Sequence, residues 1–246
     1  MKIEKILITG SGGFVGKSLK NLLSSKKGIS VLEHCRDNND DDLIKNIKAA
    51  DCLVHLAGVN RPTDEEEFDR VNFGFTKRII DVLEENNKDI PIIFSSTTQV
   101  ADDNPYGKSK LKAEVALQVR QNNQKNNIYI LRLPGIFGQG CKPNYNSVVA
   151  TFCNNIQGNI SIEIHDPNKI LYLLYIQDLI NHIDVLIRDL PDFENPLTLG
   201  PVHEISLTDL ANSFNEFRHN NLENIPIELD TPLRLALYDT YQSYRK

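Results

Sequence analysis

The chain has no tryptophan, a single methionine and only four cysteines in 246 residues. The cysteines, Cys35, Cys52, Cys141 and Cys153, show no C-x-x-C spacing, so neither a disulfide framework nor a zinc site is expected. The histidines form no H-x-x-x-H or H-x-E cluster, and no metal is expected. Basic runs are missing too, and the formal net charge is −6. That excludes nucleic-acid or anionic-membrane binding as a main role, because either needs a positive face. No apolar run is long: the longest, Ile170–Ile176, falls far short of the ~20 residues of a membrane span. The N-terminal "MKIEKILITG" enters a strand at once and has no signal-peptide pattern, so a cytoplasmic setting is expected. Internal repeats and long linkers are absent as well.

What is present is a glycine-rich turn, "TGSGGFVGKS", between an apolar strand (Lys5–Thr9) and a helical pattern with Val15, Leu19, Leu22 and Leu23. A P-loop needs G-x-x-x-x-G-K-[ST], and its first glycine would fall on Ser11. Gly10, Gly13 and Gly16 instead fit G-x-x-G-x-x-G, the turn of a dinucleotide-binding fold. Gly10 permits the tight turn, Gly13 lets backbone approach a pyrophosphate, and Gly16 lets the helix pack close. Phe14 and Val15 open the helix, whose N-terminal N–H groups favour phosphate. A P-loop enzyme also needs an acidic strand end for Mg²⁺, whereas the third and fourth strands end in "HLAG" and "SSTT".

Strand-like and helix-like segments alternate along the first half. Strands are expected at Ile29–His34, Asp51–Gly58, Ile90–Ser96 and Ile128–Pro134, and helices at Leu43–Ala49, Glu65–Asn86 and Pro105–Asn122. Asn104 suits the helix cap and Pro105 the first helical position. Asp37–Asp42 reads as a charged loop, Asn122–Asn127 as a polar loop tip, and Ser147–Gln157 as a further helix after the loop Gly138–Asn146. The rhythm predicts an α/β fold, a Rossmann-like doubly wound parallel sheet with a smaller C-terminal substrate-binding lobe. One domain is expected, with residues 1–137 mainly the dinucleotide-binding core and 138–246 mainly the lobe.

"PYGKSK" carries Tyr106 and Lys110 four residues apart, on one face of the predicted helix. A cation one turn away favours the phenolate, so the pair can exchange a proton with a carbonyl or alcohol oxygen. The plain alternative is an exposed helix face. The preceding strand ends in "FSSTTQ", placing Ser96 and Thr97 at the carboxyl edge of the sheet, where ligands of such sheets bind. Either hydroxyl can hold the same substrate oxygen. Leu56, Ala57 and Gly58, the turn closing the third strand, are expected to line the cofactor. An NAD-preferring site wants a carboxylate at the end of the second strand, but His34 stands there and Arg36 follows. Both favour the 2′-phosphate of NADP(H), while Glu33 and Asp37 argue the other way.

Glycine turn, strand-end hydroxyls and Y-x-x-x-K, in that order, resemble an extended short-chain dehydrogenase/reductase, a family acting largely on nucleotide sugars. The resemblance implies that Tyr106 is the proton donor/acceptor, that Lys110 binds the cofactor ribose and tunes Tyr106, and that Thr97 positions the carbonyl. "HLAGVNRP", "DNPYGKSK" and "KPNYNSVVATFC" further resemble the CapF/WbjC type of reductase of capsule and O-antigen synthesis, along nearly the whole chain. That type implies NADPH-dependent reduction of the 4-keto group of a UDP-2-acetamido-2,6-dideoxy-hexos-4-ulose. It also implies sugar-nucleotide contacts from Asn144 and Asn146 and a homodimer. Two departures stand out. The resembling proteins carry a C-terminal cupin domain with a metal and an epimerase activity; this chain stops at Lys246, about where that domain would begin, so no cupin activity is expected of it. Gly135 replaces a frequent asparagine of the family. Thr97 is followed by Thr98 and Gln99 where a 4,6-dehydratase has its Asp-Glu pair, so dehydration is not expected. An NAD-retaining sugar-nucleotide epimerase and a non-catalytic NADP sensor remain as alternatives.

Overall fold

The computed structural model describes residues 2–123, 127–191 and 195–245. Two compact units emerge, Met1–Leu133 with Ile180–Leu199, and Pro134–Leu179 with Gly200–Lys246. The chain thus leaves the first unit at 133, ahead of the expected 137, and returns to it for residues 180–199.

The first unit is built on five parallel strands, β1 (Lys5–Thr9), β2 (Ser30–His34), β3 (Cys52–His55), β4 (Ile92–Thr97) and β5 (Ile128–Leu133), in the order β2-β1-β3-β4-β5. Between them run α1 (Phe14–Ser24), α2 (Asp40–Ala49), α3 (Phe75–Glu85) and α4 (Pro105–Asn123). The strands are apolar at nearly every position because both faces of a parallel sheet are covered. In register, Leu7, Leu53, Ile92 and Ile128 form one row across the sheet. That row packs with Leu43 and Ile47 of α2, Ile79 and Leu83 of α3, and Ala113 and Leu117 of α4. The alternate positions Ile6, Ile8, Val54 and Ile93 are buried on the opposite face. Lys26, just past α1, pairs with Asp184 of α6 (Ile176–Asp189) at 2.5 Å.

Three local expectations change. α2 begins at Asp40, inside the segment read as a loop, because Asn39 caps it: its side chain accepts from the Asp42 N–H (2.9 Å) while the Asp42 carboxylate accepts from the Asn39 N–H (3.3 Å). The run Asp40–Asp42 therefore sits in the first helical turn, at the positive end of the helix dipole. The long helix over Glu65–Asn86 is interrupted by a π-helical stretch, Phe68–Gly74, before α3. Finally, α4 continues to Asn123, where a loop tip was expected; the rest of that tip, 124–126, lies outside the described residues.

In the second unit, β6 (Gly135–Phe137) pairs parallel with β7 (Ile170–Tyr175), which pairs antiparallel with β8 (Val202–Ser206). Its core joins Phe137 and Leu173 of that sheet to Phe152 of α5 (Val148–Gln157), Phe214 and Phe217 of α7 (Leu207–Glu223), and Leu237 and Tyr241 of α8 (Pro232–Gln242). Ser147 caps α5, as a hydroxyl accepting from the Ala150 N–H. Among the described residues, no helix is long and apolar enough to cross a membrane.

Candidate active site

Strand order reverses at β1, which has β2 on one side and β3 on the other. The loops after β1 and β3 therefore part at the carboxyl edge, the crevice where such sheets take ligands. The glycine turn stands there. Gly10, at φ +72°, donates to the His34 carbonyl at 2.8 Å, and a Cβ on it would lie 2.7 Å from the Ala57 nitrogen. A Cβ on Gly16 would lie 2.2 Å from the Gly10 carbonyl oxygen, so at Gly16 the helix closes on the turn itself. Gly13 occupies the α1 cap position, and no side chain caps the helix. The first-turn N–H groups, around Phe14 and Val15, are thus open to an anion. Two buried polar atoms beside the turn, Ser11 Oγ and His34 Nδ1, have no hydrogen-bond partner among the described residues. Orphaned polar atoms next to an uncapped helix N-terminus fit a phosphate-bearing dinucleotide. His34 stacks on Phe75 with centroids 5.5 Å apart, and burial pushes its imidazole pKa down against the opposing pull of Asp42 and Asp40. Glu33 is held by Lys20 at 2.7 Å, whereas Arg36 is exposed and has no ion-pair partner among the described residues.

Beneath this turn runs a polar chain that the sequence reading missed. The Thr76 hydroxyl donates to the Asn72 carbonyl (2.7 Å), so it must accept from His55 Nε2 (2.9 Å). His55 Nδ1 then accepts from the Thr9 hydroxyl (2.7 Å), which fixes the ring as the neutral Nε2–H tautomer. Burial pushes His55 down to about 3, with Lys110 and His34 adding to the effect. Asn72, fully buried in the π-helical stretch, accepts from the Val59 N–H (2.8 Å) and donates to the Val59 carbonyl (3.0 Å) and to Ser109 Oγ (2.9 Å). It joins Val59, just past the turn Leu56–Gly58, to the first turns of α4. The signal was legible: Asn72 and Thr76 are polar residues on the otherwise apolar row continued by Ile80 and Leu83.

Tyr106 and Lys110 stand on α4, which Asn104 caps by accepting from the Gly107 N–H at 2.7 Å. They are not an exposed helix face. Lys110 is 3% exposed and its ammonium lies 4.3 Å above the Phe94 ring, while Phe68 packs on the half-buried Tyr106 ring at 5.9 Å. Burial pushes Lys110 down to about 7, against the pull of Glu114. The expected lowering of the Tyr106 phenol is overturned: burial raises its pKa, and the opposing influence is a hydrogen bond with the Thr97 side chain. Thr97 Oγ1 also accepts from the Gln99 N–H at 3.2 Å, which orients its hydroxyl.

Ser96, also expected at the substrate oxygen, is engaged elsewhere. Its hydroxyl donates to Glu114, a carboxylate 1% exposed, which Arg132 grips from β5 through Nε (3.1 Å) and Nη2 (2.8 Å). Glu114 lies four residues beyond Lys110, so Y-x-x-x-K-x-x-x-E was the spacing that could have revealed it. Asn144 and Asn146 lie in the second unit, both exposed; Asn144 is left-handed (φ +55°), and its N–H donates to Thr151 Oγ1 at 3.0 Å. Among the described residues, no group of three or more His, Cys, Asp or Glu is arranged to hold a metal.

A glycine turn at the switch point of a doubly wound sheet, with a half-buried Tyr and a buried Lys one turn apart on a neighbouring helix, defines an extended short-chain dehydrogenase/reductase. Residues 6–197 match the model of the NAD dependent epimerase/dehydratase family, and the chain belongs to that family. It is 37% identical over 240 residues to the UDP-2-acetamido-2,6-beta-L-arabino-hexul-4-ose reductase of Pseudomonas aeruginosa, covering 98% of this chain and 64% of that protein. Among solved structures, the capsular polysaccharide assembling protein CapF of Staphylococcus aureus superposes with a TM-score of 0.88 at 39% identity, over 97% of this chain and 65% of that one. The chain thus spans just under two thirds of the length of both relatives. UDP-glucuronic acid 4-epimerase of Bacillus cereus, solved with NAD, superposes over 98% of both chains with a TM-score of 0.82; at 17% identity that likeness shows the fold alone.

Proposed function

We propose that this chain uses NADPH to reduce the 4-keto group of a UDP-2-acetamido-2,6-dideoxy-hexos-4-ulose, in the cytoplasmic synthesis of a capsule or O-antigen sugar nucleotide. The observation that carries the reading is the half-buried Tyr106 beside the buried Lys110, with Thr97 at the carboxyl edge, in a chain 37% identical to a UDP-2-acetamido-2,6-beta-L-arabino-hexul-4-ose reductase. When bound, NADPH supplies the hydride for C4. Tyr106 donates the proton: burial keeps its phenol protonated at neutral pH, the state a reduction needs. Thr97, hydrogen-bonded with Tyr106, positions the same oxygen with its hydroxyl. Lys110 holds the nicotinamide ribose. Gly10, Gly13, Phe14, Val15 and Gly16 hold the pyrophosphate, Leu56, Ala57 and Gly58 line the cofactor, and Asn144 and Asn146 contact the sugar nucleotide.

Support for NADP over NAD comes from the end of β2. The one carboxylate of that strand, Glu33, is engaged by Lys20, while among the described residues Arg36 has no ion-pair partner and His34 Nδ1 no hydrogen-bond partner. Thr98 and Gln99 follow Thr97 and offer no acid/base pair for dehydration. We also propose a homodimer through α4. That helix buries Ala113 and Leu117 on one side and exposes Leu111, Val115 and Val119 on the other, at 39%, 50% and 55%.

The test is NADPH oxidation in the presence of the UDP-linked 4-keto sugar, with NADH as the alternative reductant. Turnover that prefers NADPH supports the reading. A protein that arrives with tightly held NAD and interconverts 4-epimers overturns it in favour of an epimerase, and tight NADPH binding without turnover overturns it in favour of a sensor.

A further inference from the structure

Glu114 is a fully buried carboxylate that the reduction chemistry does not use directly, yet it touches three elements of the site. Its Oε1 accepts from Ser96 Oγ, one residue before Thr97 on β4, and from Arg132 Nε on β5; its Oε2 accepts from Arg132 Nη2. It stands on α4 one turn beyond Lys110 and two turns beyond Tyr106, so all three lie along one stripe of the helix. The surroundings of Lys110 make that position matter. The ammonium lies on the Phe94 ring of β4, with the neutral His55 of β3 nearby and the Asn72 amide across Gly58. Tyr106 is uncharged, and Arg132 is positive. Glu114 is the one negative group among the described residues that acts on Lys110.

We propose that Glu114 is a positioning residue of this site. It clasps the ends of β4 and β5 to α4, so that Thr97, Tyr106 and Lys110 share one frame, and it supplies the negative charge that holds Lys110 as a cation. The proposal rests on the reading of Lys110 as the ribose-binding residue. Two consequences separate it from a purely structural ion pair. Glu114→Gln keeps the shape and most of the hydrogen bonds but removes the charge. Lys110 then loses its proton at lower pH, since burial is no longer opposed. Ser96→Ala removes one bond and leaves the charge.

The experiment is a fluorescence titration of NADPH binding by wild type, Glu114→Gln and Ser96→Ala at pH 6 and pH 8, with the alkaline limb of kcat/KM measured in parallel. Lys110 itself is followed in ε-carbon-labelled lysine NMR spectra across the same range, its signal assigned by Lys110→Arg. Expected for Glu114→Gln is a limb moved down by about one pH unit, hence a loss of roughly tenfold at pH 8 and little at pH 6. Ser96→Ala leaves the limb in place. Equal losses at both pH values, with an unmoved Lys110 signal, overturn the proposal and leave Glu114 a structural residue. If wild type binds no NADPH at all, the proposed function fails instead, and the Lys110 titration alone decides the role of Glu114.

Discussion

Tyr106 and His55 are half-buried and fully buried side chains whose protonation states the fold sets, and each yields a measurable outcome. Tyr106→Phe removes the proton donor and little else, because the ring keeps its packing against Phe68. Turnover is expected to fall by about 10²–10⁴-fold while NADPH affinity changes little, read by stopped-flow and by fluorescence titration. His55 gives a stability prediction. Its folded-state pKa lies at about 3 against an ordinary 6.5, so between those values the unfolded chain binds a proton that the folded one does not. Stability is therefore full above about pH 6.5 and falls as the pH drops towards 3, by up to about 1.4 kcal/mol per pH unit from this group alone. Urea melts at pH 7 and pH 5 check it: the gap between the two is expected to shrink in His55→Gln, which cannot take up the proton. Lys110 runs in the same sense, in a higher pH window. Its pKa is lowered to about 7 from 10.5, so its burial costs stability below that window and the cost fades as the pH rises through it.

The elements show which parts of the fold and site could be read directly. β1 and β3 to β5 were legible because a strand buried on both faces is an unbroken apolar run, and the glycine turn was legible because its spacing is backbone geometry. α2 was misjudged at its start because Asp40–Asp42 are charged, and charge alone does not separate a loop from the first turn of a capped helix; Asn39 with Asp42 three residues on was the signal. Asn39→Ala is accordingly expected to cost about 1 kcal/mol in chemical denaturation. The π-helical stretch Phe68–Gly74 has no sequence signature of its own; it is set by Asn72 reaching Val59 and Ser109, contacts between segments distant in the chain. Glu114 stands at a legible four-residue spacing from Lys110, but its partnership with Arg132 crosses from α4 to β5 and was not legible. Tyr106 was placed correctly on its helix, but the direction of its pKa shift was not legible, because burial is a property of the packed site. Gly16→Ala tests the turn at this scale. The added Cβ meets the Gly10 carbonyl at 2.2 Å, so α1 must move off the turn, and NADPH affinity is expected to drop at least about tenfold alongside a destabilisation of about 1–3 kcal/mol.

At the scale of the whole molecule, α4 is the element through which the proposed homodimer would be tied to the site. Its buried side carries Lys110, Glu114 and Leu117, and its exposed side carries Leu111, Val115 and Val119 at i, i+4 and i+8. A helix that already buries one side and exposes an apolar stripe on the other presents a candidate docking surface. The two lysines flanking the exposed stripe are already engaged, Lys108 with Asp103 and Lys112 with Asp69, so the stripe is rimmed by neutralised charge. A second copy related by a two-fold axis brings the stripe against itself, and this needs no other partner. The net charge of −6 opposes pairing weakly, since exposed charges are screened beyond ~8 Å at physiological salt. Val115→Glu places two carboxylates at the centre of that contact. Sedimentation is expected to give twice the chain mass for wild type and the single mass for the variant, and raising the salt is not expected to restore the dimer, because the carboxylates are desolvated as well as repelled. Because Lys110 and Glu114 sit on the reverse of the same turns, the monomer is also expected to lose NADPH affinity in step with dimer dissociation. A wild type that sediments as a single chain at micromolar concentration would leave the stripe without its partner and sink the pairing.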